Sequence, residues 1–312
     1  MVGASLLTAG YAQTPGMPAD VAQRVRAIGP VINPPETAKI YIPLLAAQTP
    51  VQVTVERDLA YGPDTRHRLD ITRPAGAQSG AMPTASPLPV LVFVHGGAFV
   101  AGNKTAPDSP FYDNIARWAA ANQMLVANMT YRLAPAHGWP AGREDITLAV
   151  EWLAKQVAGR GGDPQRLYLM GHSAGASHVA SVLADAASRQ RIRQAGFNLA
   201  GGLLISAVYD YPAMPDAAGN KAYLGNNFAL YAERSPGPGL LDANMRLLLV
   251  RAELDPPDFR TQYDNMVQAL RQRGQSPVLV DLPGHSHMSE IQAIGTEDRS
   301  LTDPMLAFIR GR

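Results

Sequence analysis

The chain has 312 residues, 46% of them apolar, with a formal net charge of +1 and no cysteine. That length allows one or two domains with a large core, while near-neutrality without a basic block excludes an electrostatic nucleic-acid or membrane-surface binder. The lack of cysteine excludes disulfides, thiolate metal sites and a cysteine nucleophile, and no uninterrupted apolar run is long enough to span a bilayer.

Residues 1–12 read MVGASLLTAGYA, with Gly10 and Ala12 at the −3 and −1 positions of a cleavage site before Gln13. They resemble a secretory signal lacking its basic start, so export to the periplasm or medium is expected, with the cytoplasm as the alternative. Residues 13–50 are proline-rich and predict an N-terminal arm or cap. It carries one short helix over 20–28, with Asp20 as N-cap and Gly29-Pro30 as stop.

From residue 51 onward the chain predicts a single α/β domain, 51–312. Residues 51–55 alternate with period two, a turn follows at Tyr61-Gly62-Pro63-Asp64, and 67–72 return as an antiparallel partner. Residues 74–89 are a loop of Pro, Gly, Ala and Ser. The run 90–94, VLVFV, is apolar throughout, as in a strand buried on both faces. Further strands are predicted at 124–129, 167–170, 199–207, 246–251 and 277–282. Helices are predicted at 111–122, 145–157, 174–187, 261–273 and 301–309. This alternation gives a mostly parallel eight-stranded sheet covered by helices on both faces, after a leading antiparallel pair. Residues 210–242, rich in Pro, Gly, Tyr and Asn, break the rhythm and predict an irregular insertion forming a small cap.

Gly171-His172-Ser173-Ala174-Gly175 matches G-x-S-x-G between a predicted strand and a predicted helix, the context of a nucleophile elbow. Its glycines allow a turn tight enough to push the Ser173 hydroxyl out of the sheet. A serine hydroxyl is a poor nucleophile at neutral pH and needs a base, an orienting acid and donors for an oxyanion. His95-Gly96-Gly97-Ala98-Phe99 follows the strand at 90–94. The main-chain N–H groups of Gly96 and Gly97, with that of Ala174, are candidate oxyanion donors. Pro283-Gly284-His285-Ser286-His287 follows the last strand; His287 is favoured as base, with His285 as competitor. Glu253-Leu254-Asp255-Pro256-Pro257-Asp258 follows the strand before it; Asp255 is favoured as acid over Glu253 and Asp258. His172 reads as a packing residue of the turn, and His95 as a ring hydrogen-bonded to its loop. The order Ser173, Asp255, His287 differs from that of chymotrypsin-like and subtilisin-like proteases, which place the histidine before the serine.

Taken jointly, these motifs resemble the α/β-hydrolase fold of hormone-sensitive-lipase-like carboxylesterases. Tyr131-Arg132-Leu133-Ala134-Pro135 is similar to that group's Y-R-L-A-P signature, followed by Trp139-Pro140 and Glu144-Asp145, and Asp255-Pro256-Pro257-Asp258 is similar to its D-x-x-D acid loop. The likeness covers roughly 51–309. Two positions depart from it: Ala98 stands where the oxyanion motif has glycine, and His172 where many members have aspartate. Gly284-x-x-His287 and Gly102-Asn103-Lys104 are also similar to bacterial feruloyl-esterase-like and kynurenine-formamidase-like hydrolases. The resemblance implies Ser173 as nucleophile, Asp255 as acid, His287 as base, and Gly96, Gly97 and Ala174 as the oxyanion hole. It implies no metal or organic cofactor, and a small-molecule ester, short-acyl or aryl, as substrate. An arylformamidase or amidase with the same triad, or a binding protein on this scaffold without catalysis, are the alternatives. Phe99, Tyr209, Tyr223 and Phe228 are candidate pocket residues, with Tyr211, Tyr231 and Trp139 open to the same reading.

Overall fold

The side chains of residues 90–94 divide between two cores. Val90, Val92 and Val94 enter one buried cluster, whereas Leu91 and Phe93 enter another on the opposite face. An unbroken apolar run is what a strand covered on both sides requires. The structure, a computed structural model, describes residues 16–76, 86–214 and 219–311. The signal-like residues 1–12 lie outside the described residues.

Eight strands form one sheet: β1 (Val53–Ala60), β2 (Arg68–Pro74), β3 (Leu88–Val94), β4 (Leu125–Met129), β5 (Gly162–His172), β6 (Leu199–Ile205), β7 (Leu247–Leu254) and β8 (Val278–Ser286). Their order is β1-β2-β4-β3-β5-β6-β7-β8. β2 runs antiparallel to both β1 and β4, and every other pairing is parallel. The first strand begins two residues later than the alternation predicts and extends to Ala60 through an irregularity between Glu56 and Leu59.

The helices, in chain order, are α1 (Ala19–Ile28), α2 (Pro34–Ala46), α3 (Asp113–Ala121), α4 (Ala141–Ala154), α5 (Ala174–Ala184), α6 (Ala186–Gln194), α7 (Asn220–Leu224), α8 (Tyr231–Arg234), α9 (Gly237–Ala243), α10 (Pro257–Gln272), α11 (Ser289–Gln292) and α12 (Thr302–Arg310). Ile146 of α4, Val179 of α5 and Met266 of α10 enter the first core, and Ile115 of α3, Ile291 of α11 and Met305 of α12 the second. Among the described residues no helix is long and apolar enough to cross a membrane.

Several elements differ from expectation. α1 starts after Pro18 rather than being capped by Asp20, although Gly29 (φ 84°) ends it as read. α2 is a second helix in a segment whose prolines suggest irregular chain. Pro34 and Pro35 occupy its first turn, where a missing N–H costs nothing, and the Asn33 side chain accepts from the Glu36 amide at 3.3 Å. The elbow helix ends at Ala184 because Asp185 caps a new helix, accepting from the Ser188 amide at 2.7 Å. The described part of the insertion after Asp210 is a string of short helices rather than irregular chain.

The arm packs at the β8 end of the sheet. Val21, Val25, Ile40 and Tyr41 bury themselves with Phe111 and Ala293, against Leu254 at the tip of β7. Glu253 accepts from the Gly284 amide at 2.6 Å and meets Arg26 of α1 at 3.4 Å, so the arm braces the loops that follow β7 and β8.

Candidate active site

β5 stops at His172 and α5 starts at Ala174, leaving Ser173 alone at the corner with φ 56° and ψ −125°. That region costs an L-residue about 1–3 kcal/mol and persists only where the surroundings enforce it. Here the Ser173 amide donates to the Ile205 carbonyl at 2.9 Å, and the Ser173 carbonyl accepts from Ser177 at 3.1 Å. A side chain at Gly175 would strike the carbonyls of Val94 and His95, and one at Gly171 would strike the backbone of Gly175 and Ala176. The elbow glycines are therefore required by close backbone approach.

The loop after β3 runs beside the serine. A Cβ built on Gly96 would lie 3.1 Å from both the Ser173 Cβ and the His172 carbonyl. The amides of Gly96, Gly97 and Ala174 have no backbone acceptor among the described residues. Ala98 and Phe99 both take positive φ, 51° and 67°, so the departure from glycine at Ala98 places a methyl group in left-handed backbone. The loop is held from outside: the Ala134 amide donates to the Phe99 carbonyl at 3.0 Å, and the Phe99 ring stacks on Tyr223 of α7 at 4.6 Å. His95 stacks on Tyr131 at 4.4 Å and donates from Nδ1 to the Gly96 carbonyl at 2.7 Å, while the Tyr131 hydroxyl donates to the His95 carbonyl at 2.9 Å. Asp145 accepts from the Arg132 guanidinium at 2.7 Å and lies 3.1 Å from His67. The Y-R-L-A-P stretch and the downstream Asp145 thus brace the oxyanion loop from behind.

Asp255 and His287 come together from the loops after β7 and β8. His287 Nδ1 donates to Asp255 Oδ1 at 2.8 Å. The other carboxylate oxygen accepts from the Ser206 hydroxyl at 2.7 Å and the Ala252 amide at 2.9 Å. Burial pushes the Asp255 carboxyl up, but His287, Ser206 and the Ala252 amide together outweigh it and leave the pKa below the usual carboxylate value. With its proton on Nδ1, the imidazole has an accepting lone pair on Nε2, which has no partner among the described residues. The ring is held between Phe259, at 4.6 Å, and His172, at 4.8 Å. His172 immediately precedes Ser173, and its Nε2 donates to the His287 carbonyl at 2.8 Å.

The competitors are placed elsewhere. His285 is occupied by Ser289 at 3.1 Å and Asp298 at 2.9 Å. Glu253 supports Gly284, and Asp258 lies in the first turn of α10. Of the candidate pocket residues, Phe99 and Tyr223 stack together in one buried cluster with Tyr211 and Tyr231, beside Trp139. Tyr209 instead belongs to the core under the sheet, and Phe228 is 53% exposed, against Tyr231.

Two residues at the site have no signature in the sequence. Ser206 follows β6 at φ 47° and supports Asp255. Glu290, fully buried on α11, stands 3.4 Å from His172 Nε2. Ligand-type atoms of His172, His287 and Glu290 lie within 4.8 Å of one another. His172 Nε2 and His287 Nδ1 act as hydrogen-bond donors, while burial followed by the charge of Asp255 raises the Glu290 carboxyl well above its ordinary value.

A mostly parallel eight-stranded sheet with a strained serine between β5 and α5, and an Asp–His pair after β7 and β8, defines an α/β hydrolase. The chain belongs to the Abhydrolase_3 family, described as alpha/beta hydrolase fold, whose profile matches residues 91–289. It is 32% identical over 165 residues to the gibberellin receptor GID1 of Oryza sativa subsp. japonica, covering 51% of this chain and 43% of that protein. It is 28% identical over 232 residues to esterase LipQ of Mycobacterium tuberculosis, covering 72% and 52%. Over 101 residues it is 39% identical to carboxylesterase NlhH of the same species, covering 32% and 30%. The matches thus span about half or less of these relatives' lengths. Among solved structures, esterase B of Lactobacillus rhamnosis superposes with a TM-score of 0.70 at 20% identity, over 94% of this chain and 95% of that one.

Proposed function

We propose that the protein is a serine carboxylic-ester hydrolase acting on small, short-acyl or aryl esters through an acyl-enzyme. The observation that carries this reading is the buried Asp255–His287 pair, whose free Nε2 belongs to a ring packed against the residue preceding Ser173. The relatives named carboxylesterase and esterase add to it.

In this mechanism Ser173 Oγ attacks the ester carbonyl carbon as its proton passes to His287 Nε2. The carbonyl oxygen becomes an oxyanion held by the amides of Gly96, Gly97 and Ala174, each such donor contributing on the order of 3 kcal/mol. Asp255 holds the imidazole in the Nδ1–H tautomer and stabilises the imidazolium. Collapse of the tetrahedral intermediate breaks the C–O bond, and Nε2–H passes its proton to the leaving alkoxide. Water then attacks the acyl-serine carbonyl, giving a proton to Nε2, and the acid leaves as Ser173 regains its hydrogen. The aromatic packing of Phe99, Tyr211 and Tyr223, each at most 3% exposed, supports a preference for short acyl groups.

The test is a chain-length series of p-nitrophenyl esters, run beside N-formylkynurenine, on the native protein and on Ser173→Ala. The proposal expects highest kcat/KM on acetyl to butyryl esters and a loss of several orders of magnitude in the variant. A long-chain optimum would contradict the substrate class. Preferred turnover of the formamide would make the protein an amidase with the same machinery. Undiminished turnover in Ser173→Ala would end the proposal.

A further inference from the structure

Behind the Asp255–His287 pair is a second carboxyl that the mechanism above does not use. Glu290 is 0% exposed, and neither of its oxygens has a hydrogen-bond partner among the described residues. It reaches to 3.4 Å from His172 Nε2, in the three-residue group whose nitrogen and oxygen atoms lie within 4.8 Å of one another and which includes the base His287. The same His172 nitrogen donates to the His287 carbonyl.

Among the described residues the groups around Glu290 include no permanent cation. β5 contributes the neutral ring of His172, and the base loop contributes His287. The loop after β7 contributes the Asp255 carboxylate, and the end of β6 contributes the Ser206 hydroxyl, whose proton goes to Asp255. On β8, His285 is paired with Asp298. From α2, packed against α11, Tyr41 is buried and uncharged, while Glu36 and Lys39 pair with each other in solvent. Two carboxyls confined with one titratable base and no fixed positive charge cannot both ionise at moderate cost, so one keeps its proton. Asp255 accepts from three donors; Ser206 also stands beside Glu290 but gives its one proton to Asp255, so neither Glu290 oxygen accepts a hydrogen bond among the described residues.

We propose that Glu290 is a reserve acid behind the triad: a positioning residue that stays protonated while Asp255 carries the charge, and becomes the counter-charge to His287 when Asp255 cannot. This rests on the hydrolase reading of the site. In an Asp255→Asn protein the like charge of Asp255 is gone and burial alone opposes ionisation, which the positive charge forming on His287 offsets. Glu290 releases its proton to water, and its carboxylate faces the imidazolium that forms as His287 takes the Ser173 proton. One negative charge is present in either case, on a different residue.

The experiment has two arms. The first compares kcat/KM on p-nitrophenyl acetate for the native protein, Glu290→Gln, Asp255→Asn and the double variant. A Gln amide keeps the shape of a neutral carboxyl, so Glu290→Gln is expected to lose only two- to tenfold. Asp255→Asn is expected to lose about a hundredfold to a thousandfold, less than the ~10⁴ typical of removing a triad carboxylate, and the double variant at least tenfold more than Asp255→Asn. A double variant equal to Asp255→Asn, or Glu290→Gln as damaging as Asp255→Asn, overturns the proposal. The second arm is infrared difference spectroscopy against Glu290→Gln, which needs no turnover. A protonated-carboxyl band from Glu290 is expected at pH 7 in the native protein, and is expected to titrate away at lower pH in Asp255→Asn. No such band, or an unchanged titration, overturns the proposal even if the double variant fails to fold. Absent ester turnover alongside a normal band would sink the hydrolase reading while leaving the protonation of Glu290 established.

Discussion

His172 Nε2 donates to the backbone carbonyl of His287 across 2.8 Å, joining the elbow residue beside Ser173 to the loop that carries the proposed base. Both groups are buried, so the bond has no competing water, and the ring also packs against the His287 imidazole at 4.8 Å. Burial, then the like charge of His287, holds the His172 pKa at about 3, so it donates as a neutral ring throughout the working range. It ties the His287 loop to the elbow that carries Ser173.

Replacing His172 by Phe leaves the His287 carbonyl buried without a donor, a cost of about 1–3 kcal/mol. Spent on the position of the base, this predicts a loss of roughly tenfold to a hundredfold in kcat/KM. His172→Gln, which keeps an N–H donor, is expected to recover part of it. Steady-state kinetics on p-nitrophenyl acetate checks both, and a Phe variant of native activity would show that the link does not position the base.

Gly96 and Gly175 should respond differently to alanine. At Gly96 the new methyl lies 3.1 Å from the Ser173 Cβ, so small shifts of the oxyanion loop admit it. Gly96→Ala is expected to fold with near-native stability and lose on the order of tenfold or more in kcat. At Gly175 the methyl collides with the carbonyls of Val94 and His95, which belong to the central strand and its exit. Gly175→Ala is expected to lose about 2–4 kcal/mol of stability or fail to accumulate. Thermal unfolding and kinetics on both proteins separate the effects. The reverse pattern would contradict the close backbone approach at Gly175.

Ser206 supports the acid from the far side. Ser206→Ala removes the 2.7 Å donor to Asp255 Oδ2 and leaves only the Ala252 amide on that oxygen. A charge-assisted bond of this kind is worth about 1.5–3 kcal/mol. The variant is expected to lose roughly tenfold or more in kcat/KM with KM little changed. A change confined to KM would instead place Ser206 in substrate binding.

His95, His172 and His178 are fully buried, and burial lowers each from 6.5 to about 3. Below pH 6.5 an unfolded chain takes up protons that the native rings refuse. Their contribution to stability is thus complete above 6.5 and declines with acid down to about pH 3, by up to about 1.4 kcal/mol per pH unit for each ring. Glu290 acts oppositely: its raised carboxyl holds a proton in the native state above 4.5, so stability is lost as pH rises toward its folded value. Three rings outweigh one carboxyl between 4.5 and 6.5, and a lower urea midpoint at pH 5 than at pH 7 is expected. Equal midpoints would mean that these rings are charged or hydrated in the native state.

The parts of the site visible in the sequence are those whose constraints are local. G-H-S-A-G and H-G-G are contiguous because the elbow and the oxyanion loop each need close backbone approach within a few residues. The acid and base loops were legible from their places after the last two strands, although His285 and Glu253 could be separated from His287 and Asp255 only by seeing which partners each one has. Ser206 and Glu290 were illegible because their roles exist only where four strands and α11 meet. α2 was hidden by prolines that fall at a helix start, and no sequence pattern distinguishes exposed Phe228 from buried Tyr223.

The proposed hydrolysis requires Ser173 to be the reacting nucleophile. Incubation with a fluorophosphonate, followed by intact mass and peptide mapping, tests this directly. One phosphonyl adduct on Ser173 is predicted, absent from Ser173→Ala and formed at least a hundredfold more slowly in His287→Ala. An adduct on another residue, or ester turnover that persists in protein fully labelled at Ser173, would contradict it.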